Sequence, residues 1–290
     1  MQLVLHAGVH KTDEDKLVDS LINNRALLVR NDASVPNPGS YRKFIRMLLR
    51  NAEAMRLERV RDKILQTVSA ESSPDRLILS APSLFGPVKA VAAGGTLYKL
   101  AEDRLGTLTK AFPDDEVELF FAIRDLATFL PAAFEASGLP DMAEFLQGGE
   151  PSTMGWADLI HRIRSAHPQV RVTVWCNEDT PLIWAQLLRE MARLDATAAL
   201  ESEFALLRDI LSAPGLHRFN KFMAENPGLN DKQKRRVITA FLEKFADEAA
   251  IEEELDVPGW TQDLVAQLSA HYDADVQAIQ QIPGVNFIAP

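Results

Sequence analysis

The sequence predicts an α/β protein with a mainly parallel central sheet flanked by helices, followed by a helical C-terminal region. Short apolar runs alternate with amphipathic segments over residues 1–195, which is typical of strands joined by helical crossovers. The run VELFFAI at 117–123 is too apolar for a surface element, and the alternation implies a sheet covered on both faces. From about residue 196 onward no convincing strand pattern occurs. We therefore predict an α/β core over 1–195 and a helical region, packed on that core, over 196–290.

Four apolar runs are the predicted strands. The first covers residues 2–5 and ends in the loop HAGVH, and the second is LILS at 77–80. The third, VELFFAI at 117–123, is rich in residues that favour strands, and the fourth covers 170–175. Each run has the length of a buried strand, so together they predict the sheet of the core.

Helices are predicted between and after these strands. The first covers 17–22, where apolar residues recur at helical spacing behind three acidic residues that suit a helix N-terminus. Within the core we predict one or two helices over 41–69, and others at 96–111, 127–136, 156–166 and 181–193. In the C-terminal region, helical periodicity covers 199–211, 231–248 and 261–281.

The composition disfavours several classes of function. The net charge of −10 would repel the phosphates of nucleic acid, so we expect no nucleic-acid partner. No stretch approaches the roughly 20 apolar residues of a membrane span, and the N-terminus lacks a secretory pattern. We therefore expect no membrane partner and a cytoplasmic location. The lone Cys176 has no second cysteine to pair with, and we expect it to be buried. The sequence gives no indication of the oligomeric state.

The loop after the first strand is the main candidate for a functional site. Parallel sheets bind ligands at the carboxyl ends of their strands, and a loop that opens a helix there offers backbone N–H groups to an anion. The loop reads HAGVHKTDEDK and places Lys11 and Thr12 where an ammonium and a hydroxyl can reach a bound phosphate. The alternative for Lys11 is an ordinary exposed loop residue.

Residues 6–12 resemble the start of the HxGxHKTGTT loop of bacterial sulfotransferases, which have a P-loop fold. The resemblance continues in SAPSLFG at 80–86, FFAIRDLATFLPAAFE at 120–135, VWCNEDT at 174–180 and LSAHYDADVQAIQQIPGV at 268–285. In that family the loop cradles the 5′-phosphosulfate of PAPS (3′-phosphoadenosine 5′-phosphosulfate), and an arginine grips the 3′-phosphate. The resemblance implies a sulfotransferase-like fold in which Gly8, Lys11, Thr12 and Arg124 bind PAPS.

The resemblance also implies an activity, the transfer of a sulfuryl group from PAPS to a hydroxyl of a carbohydrate or small metabolite. Lys11 would stabilise the charge that develops on the bridging oxygen during in-line transfer. Many relatives have a carboxylate base where this sequence has Pro82. His10 is therefore the candidate for the second catalytic residue, with His6 and Glu178 as alternative bases.

Departures from the family pattern leave a second function open. Asp13, Glu14 and Asp15 replace Gly-Thr-Thr, and Ala132 replaces the serine expected on the helix after Arg124. Carboxylates cannot donate hydrogen bonds to a phosphate, and they repel it. The alternative is a protein that keeps the fold, has lost the chemistry and acts as a binding or scaffolding module. Carboxylates that point into the cleft would close it to a polyanion, whereas carboxylates that point to solvent would leave it usable.

Structural roles compete with the functional ones at several other positions. Arg124 has an ion pair with Asp125, or with an acid of the helical region, as its alternative. Glu178 is expected to accept backbone hydrogen bonds rather than to take part in catalysis. The charged runs 232–236 and 252–254 are predicted to be solvated helix faces, with a partner surface as the alternative. We predict no metal site, because His6 and His10 share no face and no third ligand stands out. Core packing is predicted for Trp156, Trp175 and Trp184.

Overall fold

The computed structural model describes residues 1–66, 74–251 and 257–290, and within these ranges six strands form one sheet. The strands are β1 (Gln2–His6), β2 (Ala33–Ser34), β3 (Arg76–Ser80), β4 (Glu116–Ile123), β5 (Arg171–Cys176) and β6 (Val285–Ile288). Their order across the sheet is β2-β3-β1-β4-β5-β6, and every neighbouring pair is parallel. The predicted fold class, a parallel sheet flanked by helices, is confirmed.

Helices connect the strands and make up most of the C-terminal region. Those in the described ranges are α1 (Lys16–Asn23), α2 (Arg25–Arg30), α3 (Pro38–Arg50), α4 (Val60–Leu65), α5 (Ala101–Ala111), α6 (Leu126–Ser137), α7 (Met142–Leu146), α8 (Trp156–Ala166), α9 (Thr180–Ala192), α10 (Leu207–Ile210), α11 (Ala213–Glu225), α12 (Asp231–Phe245), α13 (Glu248–Ile251) and α14 (Gln262–Ile279). No helix in these ranges is long and apolar enough to cross a membrane.

Two sequence-based predictions are wrong in the C-terminal region. The prediction of no strand after about residue 196 fails, because β6 pairs in parallel with β5, with Val172 opposite Val285. This strand is only four residues long and lies at the sheet edge, so it lacks the long apolar run that marks a central strand. The predicted helix over 199–211 is also wrong. Turns occupy 201–206, and only α10 is helical there.

The predicted helices of 41–69 form α3 and α4, separated by two short 3₁₀ turns. Residues 67–69 of that prediction lie outside the described residues. The charged run 252–254 also lies outside them. Helix α8 spans the same residues as the predicted helix 156–166, because Trp156, Leu159, Ile160 and Ile163 form a single apolar face at helical spacing.

The sheet has an apolar core on each face, because alternate residues of a strand point to opposite sides. Leu3 and Leu5 of β1 belong to one core, with side chains of α3, α5, α6, α8 and α14. Val4 belongs to the other core, which α1 and α9 cover together with Trp175 of β5. Trp156, Trp175 and Trp184 are all buried, as predicted.

The C-terminal helices extend this architecture in two directions. Helix α14 packs against α6 and α8, and the Asp275 carboxylate on α14 accepts the backbone N–H groups of Trp156 and Ala157 at the start of α8. Helices α11 and α12 pack on each other around Phe219 and contact the core through α9. The carboxyl ends of β1, β4 and β5 meet at one edge, where a cleft forms.

Candidate functional site

The cleft at the carboxyl edge of the sheet has a volume of ≈ 790 Å³. It lies between the loop after β1, helix α6 and the first turn of α9. Three of the residues singled out by sequence, Lys11, Thr12 and Arg124, line it together. Ala132 lines it as well, at the position where the sulfotransferase pattern has serine. Gly8 and His10 do not line it and have other contacts in the described part of the chain.

The loop has an unusual backbone. Lys11, Glu14 and Asp15 adopt left-handed φ values of 58°, 47° and 72°, which non-glycine residues rarely adopt and which cost roughly 1–3 kcal/mol each. Gly8 has φ 91°, and a Cβ at this position would lie 3.2 Å from the Cα of Pro82. Glycine is therefore needed at position 8 so that the loop can pack against the end of β3.

The Asp13 side chain is buried and accepts a hydrogen bond from the backbone at the N-terminus of α1. Its Oδ2 accepts the backbone N–H of Leu17 at 3.1 Å, and its carbonyl accepts that of Lys16 at 2.9 Å. Its Oδ1 lies 3.9 Å from Nε2 of His6, and the residue is only 8 % exposed. A helix N-terminus with free N–H groups is where parallel α/β proteins hold anions. In this protein a carboxylate of the chain itself lies there.

The other two acidic residues of the loop point elsewhere. Glu14 is exposed at the rim of the cleft, where its Oε1 lies 3.5 Å from Nζ of Lys11. Asp15 faces α3 and receives two hydrogen bonds of 2.6 Å from the guanidinium of Arg42. These bonds lower the pKa of Asp15 and hold its carboxylate away from the cleft. The three acidic side chains thus point in three different directions.

Arg42 ties the loop to the end of β3. Besides Asp15 it reaches Ser80, donating from Nε to the carbonyl at 2.8 Å and from a terminal nitrogen to the hydroxyl at 3.1 Å. Tyr41 also bonds the backbone of Ser80, through its hydroxyl. Sequence reasoning missed Arg42, since nothing but its place in a basic, helical stretch distinguished it.

Thr12 and Arg124 both donate hydrogen bonds to backbone carbonyls of the loop after β1. The Thr12 hydroxyl donates to the carbonyl of Val9 at 2.8 Å. Arg124 donates from a terminal nitrogen to the carbonyl of Lys11 and from Nε to the hydroxyl of Thr128 at 3.1 Å. Arg124 therefore connects the end of β4 with the middle of the loop and stabilises its turn.

Asp125 does not depend on Arg124 for a partner. Its Oδ1 accepts the backbone N–H of Ala127, which caps α6, and its Oδ2 accepts the hydroxyl of Ser269 on α14. Glu178 accepts the backbone N–H of Asp125 at 2.9 Å and the hydroxyl of Tyr272 at 3.0 Å. This confirms the prediction that Glu178 accepts a backbone hydrogen bond. Burial raises the pKa of Glu178 despite these bonds.

His10 contacts Tyr98 and does not line the cleft. Its ring stacks on Tyr98 with centroids 5.9 Å apart, and its Nδ1 lies 3.0 Å from the Tyr98 hydroxyl. Burial lowers the pKa of His10 to about 4, so the imidazole is neutral near neutral pH. His10 is therefore a packing residue of the loop in this structure, and no hydrogen bond joins it to Lys11 in the described residues.

His6 is enclosed at the end of β1. Its Nδ1 lies 3.0 Å from the hydroxyl of Ser80, and its ring stacks on Trp175. Burial lowers its pKa, and its Nε2 has no hydrogen-bond partner within the described ranges. Cys176, at the end of β5, is buried as predicted, and burial raises the pKa of its thiol to about 12. A thiol with that pKa is a poor nucleophile.

The charges that line the cleft do not favour a polyanion. The cations are Lys11, Lys16 and Arg124, and the carboxylates are Asp13, Glu14, Glu135 and Asp209. Lys16 is paired with Asp209 at 2.6 Å and Lys11 with Glu14. The described lining thus carries a formal net charge of −1, without the surplus of cations that phosphate groups need.

Over the described residues no group of three His, Cys, Asp or Glu side chains is arranged to hold a metal ion. Comparison with known proteins adds no identification, since no family model, no curated protein and no solved structure matches the chain. The resemblance to sulfotransferases therefore rests on the motifs quoted above.

Proposed function

We propose that this protein is a binding or scaffolding module that retains a sulfotransferase-like arrangement without PAPS-dependent sulfuryl transfer. The observation that carries the proposal is the position of Asp13, whose buried carboxylate accepts the N–H of Leu17 at the start of α1. A 5′-phosphosulfate would need that helix N-terminus. The chain already supplies an anion there, so the residues present do not fit PAPS.

The repulsion between the Asp13 carboxylate and a phosphate group is large enough to prevent tight binding of PAPS. Two unit negative charges 4 Å apart repel by about 4 kcal/mol at an effective dielectric constant near 20. A free-energy difference of that size weakens binding by roughly a thousandfold. An affinity in the micromolar range would therefore fall to the millimolar range if a phosphate group came that close to Asp13. Glu14, at the rim, would add to the repulsion.

The contacts of the other candidate residues also disfavour PAPS binding. Lys11 is paired with Glu14, and the Thr12 hydroxyl is committed to Val9. His10 is neutral, packs on Tyr98 and does not line the cleft. Besides these charged groups, a ligand of this cleft would meet an apolar part of the lining, supplied by Pro131, Phe134, Pro181, Leu206 and Ile210. Such a lining suits a ligand without phosphate groups.

PAPS-dependent transfer to a carbohydrate or small-metabolite hydroxyl is the second candidate. It is favoured by one observation, the presence of both Lys11 and Arg124 on the same cleft. For that function Glu14 would have to release Lys11, and Asp13 would have to leave the helix N-terminus. Each change exposes a group that is bonded in the structure, so the first function is the better supported one.

Calorimetric titration with 3′-phosphoadenosine 5′-phosphate separates the two functions. We expect the wild type to bind no tighter than millimolar. Asp13→Asn keeps an oxygen for the Leu17 N–H and removes the charge, so it should raise the affinity by about 10²–10³-fold. Lys11→Ala in the Asp13→Asn background is the control, because it should remove the gain.

Micromolar binding by the wild type that both Lys11→Ala and Arg124→Ala abolish would refute the proposed function. If Asp13→Asn binds as weakly as the wild type, Asp13 is not the obstacle and the argument from its position is wrong. Circular dichroism and thermal unfolding of each variant show whether a loss of binding reflects a loss of fold.

A further inference from the structure

A second surface of the molecule concentrates the positive charge that the cleft lacks. Residues 42–63 contain eight Lys and Arg against three Asp and Glu, a net charge of +5 in a chain whose total is −10. This stretch forms α3, α4 and the turns between them. A surface with this excess of positive charge attracts acidic groups.

The cations of this stretch are exposed and largely unpaired. Arg42 and Arg61 are the exceptions, since they bond Asp15 and Asp115. The other six have no ion pair among the residues that the structure describes, and we call them the α3–α4 surface: Lys43, Arg46, Arg50, Arg56, Arg59 and Lys63. Because no ion pair within the described residues holds these six side chains, they can pair with acidic groups of a partner.

The spacing on α3 gathers part of this charge on one helix face. Lys43, Arg46 and Arg50 stand at i, i+3 and i+7, and Met47 lies between them with 44 % of its surface exposed. The charge density extends beyond the helix. Burial lowers the pKa of Arg104 on α5, and the positive charge of Arg50 lowers it further, so Arg50 lies close enough to act on a neighbouring helix.

A groove with an apolar floor adjoins this face. It has a volume of ≈ 430 Å³, and Phe44, Met55 and Val60 supply its apolar lining. Arg56, Arg59 and Lys63 line it as well, with a single carboxylate from Asp62. Nζ of Lys63 lies 5.2 Å from the centre of the Phe44 ring, so α3 and α4 contribute to one continuous surface.

We propose that the α3–α4 surface binds an acidic peptide segment of a partner protein, with one apolar side chain of that segment in the groove. Charge complementarity selects acidic residues, and the concave apolar floor between cations selects an inserted side chain. A lipid bilayer is flat and would leave the groove floor uncovered. The remainder of the chain, with a net charge of −15, would repel the extended phosphate backbone of a nucleic acid.

Fluorescence anisotropy with a short labelled peptide of glutamates around a central leucine tests this proposal on the whole protein. Arg46→Glu/Arg50→Glu should weaken binding at least about tenfold, because two attractions become repulsions. Lys232→Glu/Arg236→Glu is the matched control. It makes the same change of net charge at exposed cations of α12, so it should change the affinity less than about twofold.

A peptide with serine in place of leucine tests the groove, and it should bind at least about tenfold more weakly. Met55→Ser, at the groove, should reduce the difference between the two peptides. Equal binding of the serine peptide, or equal losses in the two charge-reversal variants, would overturn the proposal. So would tighter binding of phosphatidylserine vesicles or single-stranded DNA than of the leucine peptide. Circular dichroism checks the fold of each variant.

Discussion

Replacement of Arg42 by methionine tests whether one side chain fixes the position of the loop. In the structure its guanidinium makes two hydrogen bonds to Asp15, one to the Ser80 carbonyl and one to the Ser80 hydroxyl. Methionine fills a similar volume and keeps none of these bonds. The substitution therefore removes the hydrogen bonds that join α3 to the loop and to the end of β3.

The expected loss of stability in Arg42→Met follows from these contacts. Each bond to Ser80 contributes about 1 kcal/mol net, since the bond replaces one to water. The Asp15 pair adds no more than about 1 kcal/mol, because the carboxylate is 41 % exposed and solvent screens the interaction. We therefore expect Arg42→Met to lower the free energy of unfolding by about 2–3 kcal/mol.

Urea denaturation of wild type, Arg42→Met, Asp15→Asn and the double variant measures the total loss of stability and the share that comes from the Arg42–Asp15 pair. The double-mutant cycle should give a coupling of roughly 0.5–1 kcal/mol between Arg42 and Asp15. A loss below about 0.5 kcal/mol for Arg42→Met would mean that the loop does not depend on this contact, as ordinary surface substitutions show losses of that size. A coupling near zero would refute the assigned pair while leaving the Ser80 bonds in place.

Two further predictions concern groups that lie away from the cleft. Asp275→Ala should lower the free energy of unfolding in urea by about 1–2 kcal/mol, because it removes the cap of α8, whereas Asp275→Asn keeps most of the cap; equal losses in both variants would contradict a capping role. His10 has a pKa lowered to about 4 in the folded state, so its contribution to stability is complete above its unfolded pKa near 6.5 and is lost as pH falls towards 4. His10→Asn should therefore show a smaller loss of stability than the wild type between neutral pH and pH 4, and identical pH profiles would contradict the burial of a neutral His10.

The central fold was predictable because its signals are local. LILS and VELFFAI are continuous apolar runs, and they become β3 and β4 in the middle of the sheet, where both faces are covered. Helix α8 was predictable because its buried residues share one face of the helix. In each case the residues that determine the element are neighbours in sequence.

The edges of the fold were not predictable from such signals. Strand β6 forms because β5 offers an unpaired edge, which is a property of the folded sheet and not of the four residues VNFI. The amphipathic pattern of 199–211 favoured a helix, but the chain there is held in turns, and Asn24 bonds the backbone of Glu201 in both directions. Tertiary contacts overrode the local preference.

The candidate site was half predictable. Lys11, Thr12 and Arg124 were expected to lie near one another, and they line one cleft, because the carboxyl ends of parallel strands share one edge of the sheet. The directions of Asp13 and Asp15 depend on a helix N-terminus beneath the loop and on Arg42, which lies 27 residues away from Asp15. These contacts join residues that are distant in sequence or depend on the path of the folded loop, so no local pattern predicts where the carboxylates point.

The pairing of β6 with β5 has a consequence for how the chain folds. The side chains of Thr173 and Asn286, which bond across this edge, are 113 residues apart. Closing so long a loop costs entropy before any contact is gained, so this pairing should form late. Until then β5 is the open edge of the sheet, and its RVTVWC segment is apolar and rich in β-branched residues. Intermediates that lack β6 should therefore be the species from which this protein aggregates.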